Sequence, residues 1–307
     1  MGNSDNKMKQ TLVIGSTVVD VMLSVPSLPR RGEDVNLTAS DFRIGGCAYN
    51  VYKTMRLFES PALLCSPVGQ GVYGHMVRNQ LKSEGISPFV DLAGENGCCY
   101  CLIEPDGERS FLSHHGAEYL FSRSWMKNVD FSNVGEVFIC GLEVEEPTGS
   151  EIVDFVHEHP ELDIYFSPGP RIMHIGSDKM ERLLNHRGKT GKGLFLHLNE
   201  TEALRFSGKH KLAEAADFLT GKTGNAVVIT LGERGCFCLE NNWLEGRFVP
   251  GYPATVVNTV GAGDAHCGAL IACLKNKMAL EEACKRANRI GAALVETSGS
   301  VLEKLPD

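Results

Sequence analysis

Short apolar runs, each followed by a stretch of helical spacing, recur along this chain, and that rhythm restricts the fold more than any single residue does. Ala62–Val68 precedes helical spacing from His75 to Glu84, Val137–Cys140 precedes Glu151–His157, and Leu194–Leu198 precedes a helix beyond Thr201. Alternation of this kind favours a parallel sheet with helices on its faces. Thr11–Asp20 reads as one apolar, β-branched strand, interrupted by Gly15, ending in an acid and covered on both sides. The stretch 97–116 breaks the rhythm: Cys98–Ile103 and Glu108–Ser113 flank the turn Glu104-Pro105-Asp106-Gly107, a hairpin with no helix between its strands. With Asp34–Ile44 this hairpin is expected to form a small antiparallel sheet standing off the main one as a lid. His114 and His115 lie where it returns, placed equally well for substrate contact or for a surface or hinge role.

The run from Thr255 to Lys275 carries the strongest chemical signal. A β-branched segment, expected as a strand, ends in Gly261-Ala262-Gly263 and passes into helical spacing, so bare N–H groups meet at a helix start and form an anion site. Asp264 follows at once. Beside a bound phosphoryl group it fits a base that takes a hydroxyl proton; the same residues also fit a simple helix cap. Asp20, expected where its strand leaves the sheet, and Asn50, one turn beyond Gly45-Gly46, offer acceptors and a donor to neighbouring hydroxyls. Glu143 is another acid at a strand end. Asn199 and Glu202 share a helical face that suits magnesium or its waters, and the Asn-x-x-Glu pattern equally suits a capped helix start. The loop Gly232–Gly235 follows a buried-looking strand and can pack along a nucleotide.

Composition narrows the class. With 43% hydrophobic and 22% charged residues the chain can bury a substantial core, and a net charge of −8 argues against nucleic acid as a partner. No apolar run is long enough to span a membrane, and the polar start Met1–Gln10 lacks a leader's apolar core, so a cytoplasmic protein with no membrane partner is expected. The eleven cysteines hold one C-x-x-C spacing, Cys98 to Cys101, and no second pair to complete a zinc ribbon; those in strand-like runs read as reduced packing residues. Gly188-Lys189-Thr190 and Gly221-Lys222-Thr223 end like a Walker A loop, but Leu183 and Ala216 stand where its first glycine belongs.

Taken in order, Asp20, Gly45-Gly46-Cys47-Ala48-Tyr49-Asn50, Asn199-Glu200-Thr201-Glu202, Thr230-Leu231-Gly232-Glu233-Arg234-Gly235 and Asn258-Thr259-Val260-Gly261-Ala262-Gly263-Asp264 resemble the PfkB (ribokinase-like) family of sugar and nucleoside kinases. The resemblance implies a doubly wound, mostly parallel α/β sheet with a small β-sheet lid, as a single kinase domain over residues 8–307 with the lid inserted at about 33–45 and 97–115. It implies transfer of the γ-phosphoryl of ATP, with Mg²⁺, to a hydroxyl of a small sugar or nucleoside, and a homodimer formed through the lid. The alternatives are a nucleoside (including pseudouridine) kinase rather than a free-sugar kinase, or a non-catalytic sugar-binding regulator on the same fold. By position, Asp264 is the base, and Gly261, Ala262 and Gly263 the anion hole. Asp20, Gly45, Gly46, Asn50 and Glu143 hold substrate. Asn199, Glu202, Thr230, Gly232, Gly235 and Asn288 serve the nucleotide, with Glu202 reaching the metal through water, and Arg171 is a phosphate contact in some members. Asn258 departs from the family's usual Asp at a monovalent-cation site, and Ser167 departs from its usual Asp or Asn.

Overall fold

The computed structural model describes residues 8–306; Met1–Lys7, most of the polar start, lie outside the described residues. The chain opens with β1 (Gln10–Ile14), β2 (Val18–Ser24) and β3 (Ala39–Gly45), then α1 (Cys47–Leu57), β4 (Ala62–Cys65), β5 (Pro67–Gln70) and α2 (Gly71–Ser83). Next come β6 (Val90–Glu95), β7 (Cys98–Ile103), β8 (Arg109–His114), β9 (Val134–Cys140), α3 (Gly141–Glu145), α4 (Gly149–Glu158), β10 (Asp163–Ser167) and α5 (Ser177–Leu184). The remainder is β11 (Phe195–Asn199), α6 (Glu200–Ser207), α7 (Leu212–Thr223), β12 (Val227–Thr230), β13 (Gly235–Leu239), β14 (Arg247–Pro250), α8 (Ala262–Lys275) and α9 (Leu280–Val295).

The main sheet has eight strands in the order β14-β13-β12-β11-β10-β9-β1-β4, with β13 antiparallel to both its neighbours and the other pairs parallel. Each parallel strand is apolar on both faces because both are covered. Leu12, Ile14, Val137, Ile139, Phe166 and Leu198 point into the core shared with α4 and α5, whereas Val13 and Phe138 pack with α1 and α8, and Val228 packs with α8 and α9. Burying one such side chain is worth about 1.5–3 kcal/mol. α8 runs between α1 and α9, and an added Cβ at Gly268 would sit 2.7 Å from Val51 O, so the two helices can approach only over a glycine.

A separate four-stranded sheet has the order β3-β2-β7-β8, with β2 and β7 parallel and the outer pairs antiparallel. Here the structure corrects the sequence reading. Thr11–Asp20 is not one strand: the chain leaves the main sheet at Ile14 and enters the small one at Val18, so Asp20 sits within β2 and not at a strand end. Gly15 permits the crossing, with φ +151° and an ideal Cβ only 2.9 Å from that of Ala48. Ala62–Val68 is likewise two strands, β4 in the main sheet and β5 paired with β6, and Gly71–Gly74, read as loop, already belongs to α2. Thr255–Val260 is no strand at all. Val256 and Val257 are exposed, and the N–H groups of Val257 and Asn258 both donate to Val295 O at the end of α9. β-branched composition favours a strand only where a sheet edge is there to receive it.

Candidate active site

The residues converge where the carboxyl ends of the parallel strands face the small sheet. Gly45 and Gly46 lead β3 into α1, and both stand where a side chain has no room: a Cβ on Gly45 would lie 2.3 Å from Asp20 Oδ2, and one on Gly46 2.5 Å from Ser16 O. One turn into α1, Asn50 Nδ2 donates to Asp264 Oδ2 at 2.9 Å. Glu143, in the first turn of α3, accepts from Ser16 N–H at 2.8 Å through Oε1. Among the described residues, four buried polar atoms here have no protein partner: Asn50 Oδ1, Glu143 Oε2, Ser16 Oγ and Thr17 Oγ1. Buried polar atoms are almost always paired, so this concentration calls for partners from a ligand or from water. The sequence offered a signal for Ser16 and Thr17 in the glycine just before them, but only the division of the strand puts them at the site.

α8 begins at Ala262, with Gly261 as N-cap at φ +79° and a Cβ position only 2.3 Å from Ser300 O. Ala262 N–H turns back to Thr259 O at 3.3 Å; among the described residues, the N–H groups of Gly261, Gly263 and Asp264 have no main-chain acceptor. Of the three anion-hole amides expected from sequence, that of Ala262 is therefore engaged in the turn. Burial raises the Asp264 carboxyl to about 6, a rise that the Asn50 and Cys47 hydrogen bonds partly offset and the Glu202 charge reinforces. Burial and then the charge of Asp264 raise Asp20 to about 7 against the opposing effect of Arg43, its cross-strand neighbour. Burial likewise raises Glu143 to about 7. Three carboxyls displaced upwards within one cleft are a functional signature.

The residues expected from sequence to serve the nucleotide lie on β11, α6, β12, the turn between β12 and β13, and α9. Asn199 and Glu202 form a reciprocal capping box at the start of α6: Asn199 Oδ1 accepts from Glu202 N–H at 2.8 Å, while the Glu202 carboxylate accepts from Asn199 N–H at 3.0 Å and Nδ2 at 2.7 Å. Thr230 Oγ1 donates to Leu198 O at 3.3 Å; Gly232 and Gly235 bracket a short turn at φ +62° and +100°. Asn288 Nδ2 donates to Val249 O and Pro250 O, at 3.1 and 3.0 Å, and Asn258 Nδ2 to Ser298 O and Gly299 O, at 2.9 and 3.0 Å. Other expected residues lie apart. Arg171 is clamped by Glu145 at 2.5 and 2.7 Å, and His115 pairs with Glu146 and stacks on Tyr119. His114 falls on the face of the small sheet opposite to Asp20.

Arg109 was not singled out from sequence. Two-residue alternation in β8 puts it on the same face as Asp20, and its guanidinium donates to Thr259 Oγ1 at 3.2 Å and Val257 O at 3.4 Å. It ties the small sheet to the loop that feeds α8. Among the described residues no group of three or more His, Cys, Asp or Glu side chains is arranged to hold a metal ion, and no helix is long and apolar enough to cross a membrane.

A mostly parallel sheet wrapped by helices, with a small second sheet over its carboxyl edge and a glycine-led helix start beneath, defines the ribokinase-like α/β fold. An adenosine kinase from Sinorhizobium meliloti superposes with a TM-score of 0.83 at 16% identity, over 97% of each chain. A ribokinase from Arabidopsis thaliana, in complex with ribose and ATP, superposes at 0.76 with 18% identity, over 97% of this chain and 96% of that one. The chain belongs to the pfkB family of carbohydrate kinases, whose profile matches residues 8–307. An uncharacterized sugar kinase of Escherichia coli, YegV, is 29% identical, over 95% of this chain and 90% of its own length.

Proposed function

We propose that this protein transfers the γ-phosphoryl of ATP to a primary hydroxyl of a small sugar or nucleoside. The observation that carries the reading is the placement of Asp264 in the first turn of α8, bonded to Asn50 and beside amides with no main-chain acceptor. Asp20, Asn50 and the unpartnered atoms of Ser16, Thr17 and Glu143 orient the acceptor's hydroxyls. Asp264 takes the proton of the reacting hydroxyl, whose oxygen attacks the γ-phosphorus as the bond to ADP breaks. The Gly261 and Gly263 amides offset charge on the transferring group. Asn199 and Glu202 fit a magnesium ion held through water, since the Glu202 oxygens already accept from Asn199; the ion, when bound, neutralises phosphate charge. The relatives' substrates, ribose and adenosine among them, support the sugar or nucleoside class.

Asn258 bears on a monovalent cation. Its amide already donates to two main-chain carbonyls, so the group that elsewhere in the family is an acid brings here two N–H donors in place of negative charge. Activity is then independent of potassium. The test is ADP release over ribose, fructose, sugar acids, nucleosides and pseudouridine, with and without potassium, for the native protein and Asp264→Asn. The expected outcome is one substrate class whose turnover ignores potassium and falls by roughly 10² to 10⁴ in the variant. Full turnover in a folded Asp264→Asn protein overturns the assignment of the base.

A further inference from the structure

Beneath the α8 start lies a buried chain of side chains that the proposed reaction does not use. His197 on β11 and His266 on α8, each at most 6% exposed, meet at 2.9 Å between Nε2 of the first and Nδ1 of the second. His266 Nε2 lies 3.1 Å from Asn288 Oδ1, and Ser167 Oγ lies 3.4 Å from His197 Nδ1 and 3.5 Å from Cys267 Sγ. The direction of every bond follows from one end. Val249 O and Pro250 O can only accept, so the Asn288 amide nitrogen faces them and its oxygen faces His266. His266 must then donate from Nε2. With one proton on each ring, its Nδ1 accepts from His197 Nε2–H, and His197 Nδ1 in turn accepts from Ser167.

The chain joins four pieces of the cleft. Ser167 closes β10, His197 precedes the capping box by two residues, His266 follows Asp264 by two, and Asn288 holds the end of β14. A polar chain with each member satisfied allows one arrangement of the pieces it joins, because shifting any one leaves a buried donor or acceptor unpaired. From this we propose that His266 and His197 are positioning residues: they hold the first turn of α8, and so Asp264, in register with the nucleotide-side loop. The proposal rests on the reading of Asp264 and Asn288 given above. It assigns the two rings no contact with substrate.

The test has an arm that needs no turnover. In protein carrying ¹⁵N-histidine, NMR should show both rings as the Nε2–H tautomer; a ring bearing Nδ1–H overturns the chain. The second arm compares His266→Phe with His266→Gln, whose amide can donate to Asn288 and accept from His197. ATP affinity is measured by calorimetry and ADP release with ribose and with inosine. His266→Phe should lower kcat about tenfold and weaken ATP while the acceptor KM stays within about twofold, and His266→Gln should recover most of the loss, since misplacement by about an ångström has effects of this size or larger. A folded His266→Phe protein with native kcat and native ATP affinity overturns the proposal. Asp264→Asn run alongside separates the two readings: activity surviving in that variant removes the base and leaves the tautomers as they are. If His266→Phe does not fold, the tautomers decide.

Discussion

At the scale of single residues, the site is a place where water has been taken from carboxylates without full compensation. Asp264 is raised to about 6 chiefly by burial, and a base works only when ionised. Its proton is therefore on below about pH 6 and off above it. The expected kcat/KM rises with pH through that region and levels off above it, falling about tenfold per unit on the acid side; the measurement is a profile from pH 5 to 8 with buffers of matched ionic strength. A profile flat down to pH 5 would mean that Asp264 is ionised throughout and that burial has been outweighed. Asp20 and Asp264 feel one another, so the limb belongs to the pair. Asp264, Asn50 and Asp20 were legible from type and spacing beside glycines. Ser16 and Thr17 were not: the glycine before them hints at a break, but their place at the site depends on the division of the strand between two sheets. The two histidines were equally silent, since what matters about them is a partner 69 residues away.

At the scale of elements, α8 carries the chemistry at one end and is anchored at the other. Lys275 in its last turn is 1% exposed. Its ammonium donates to Glu136 at 2.7 Å, to Thr11 Oγ1 at 2.9 Å and to Lys9 O at 2.6 Å, pinning the helix to the first and central strands. A cation there also suits the carbonyl end of the helix. Lys275→Met should cost about 3 kcal/mol, mostly by leaving the largely enclosed Glu136 carboxylate, 18% exposed, without a counter-charge. Denaturant titration reads this as a lower midpoint at unchanged slope, and an unchanged midpoint would show that Glu136 reaches water. The helices and most strands were legible because apolar spacing reports which faces are covered. What spacing does not report is the sheet to which a strand belongs. β1 and β2 read as one run because both are apolar, and the loop before α8 read as a strand because its β-branched residues have no neighbouring strand to betray them.

At the scale of the molecule, the small sheet presents a row that the rest of the chain leaves partly bare. Phe42 and Leu112, 51% and 62% exposed, lie in one cross-strand line with Val21 and Tyr100. Apolar side chains on edge strands suit a second copy of the same sheet, and we propose a homodimer formed there. Sedimentation velocity should give a dimer that Phe42→Ser with Leu112→Ser converts to monomer; a native protein that sediments as a monomer at micromolar concentration contradicts it. The order in which the small sheet is wired has a kinetic consequence. Its central pair joins Val19 to Cys98, so β3, α1, β4, β5, α2 and β6 lie on the chain between the two strands that must meet. Closing so large a loop is slow until the intervening segments have condensed. In refolding, the fluorescence of Trp125 and Trp243, both packed against the main core, should recover before catalytic activity does. Simultaneous recovery would mean that the roof forms with the core. A protein wired this way acquires its capacity to act only after it is already a stable body, and under stress it falls silent while still folded.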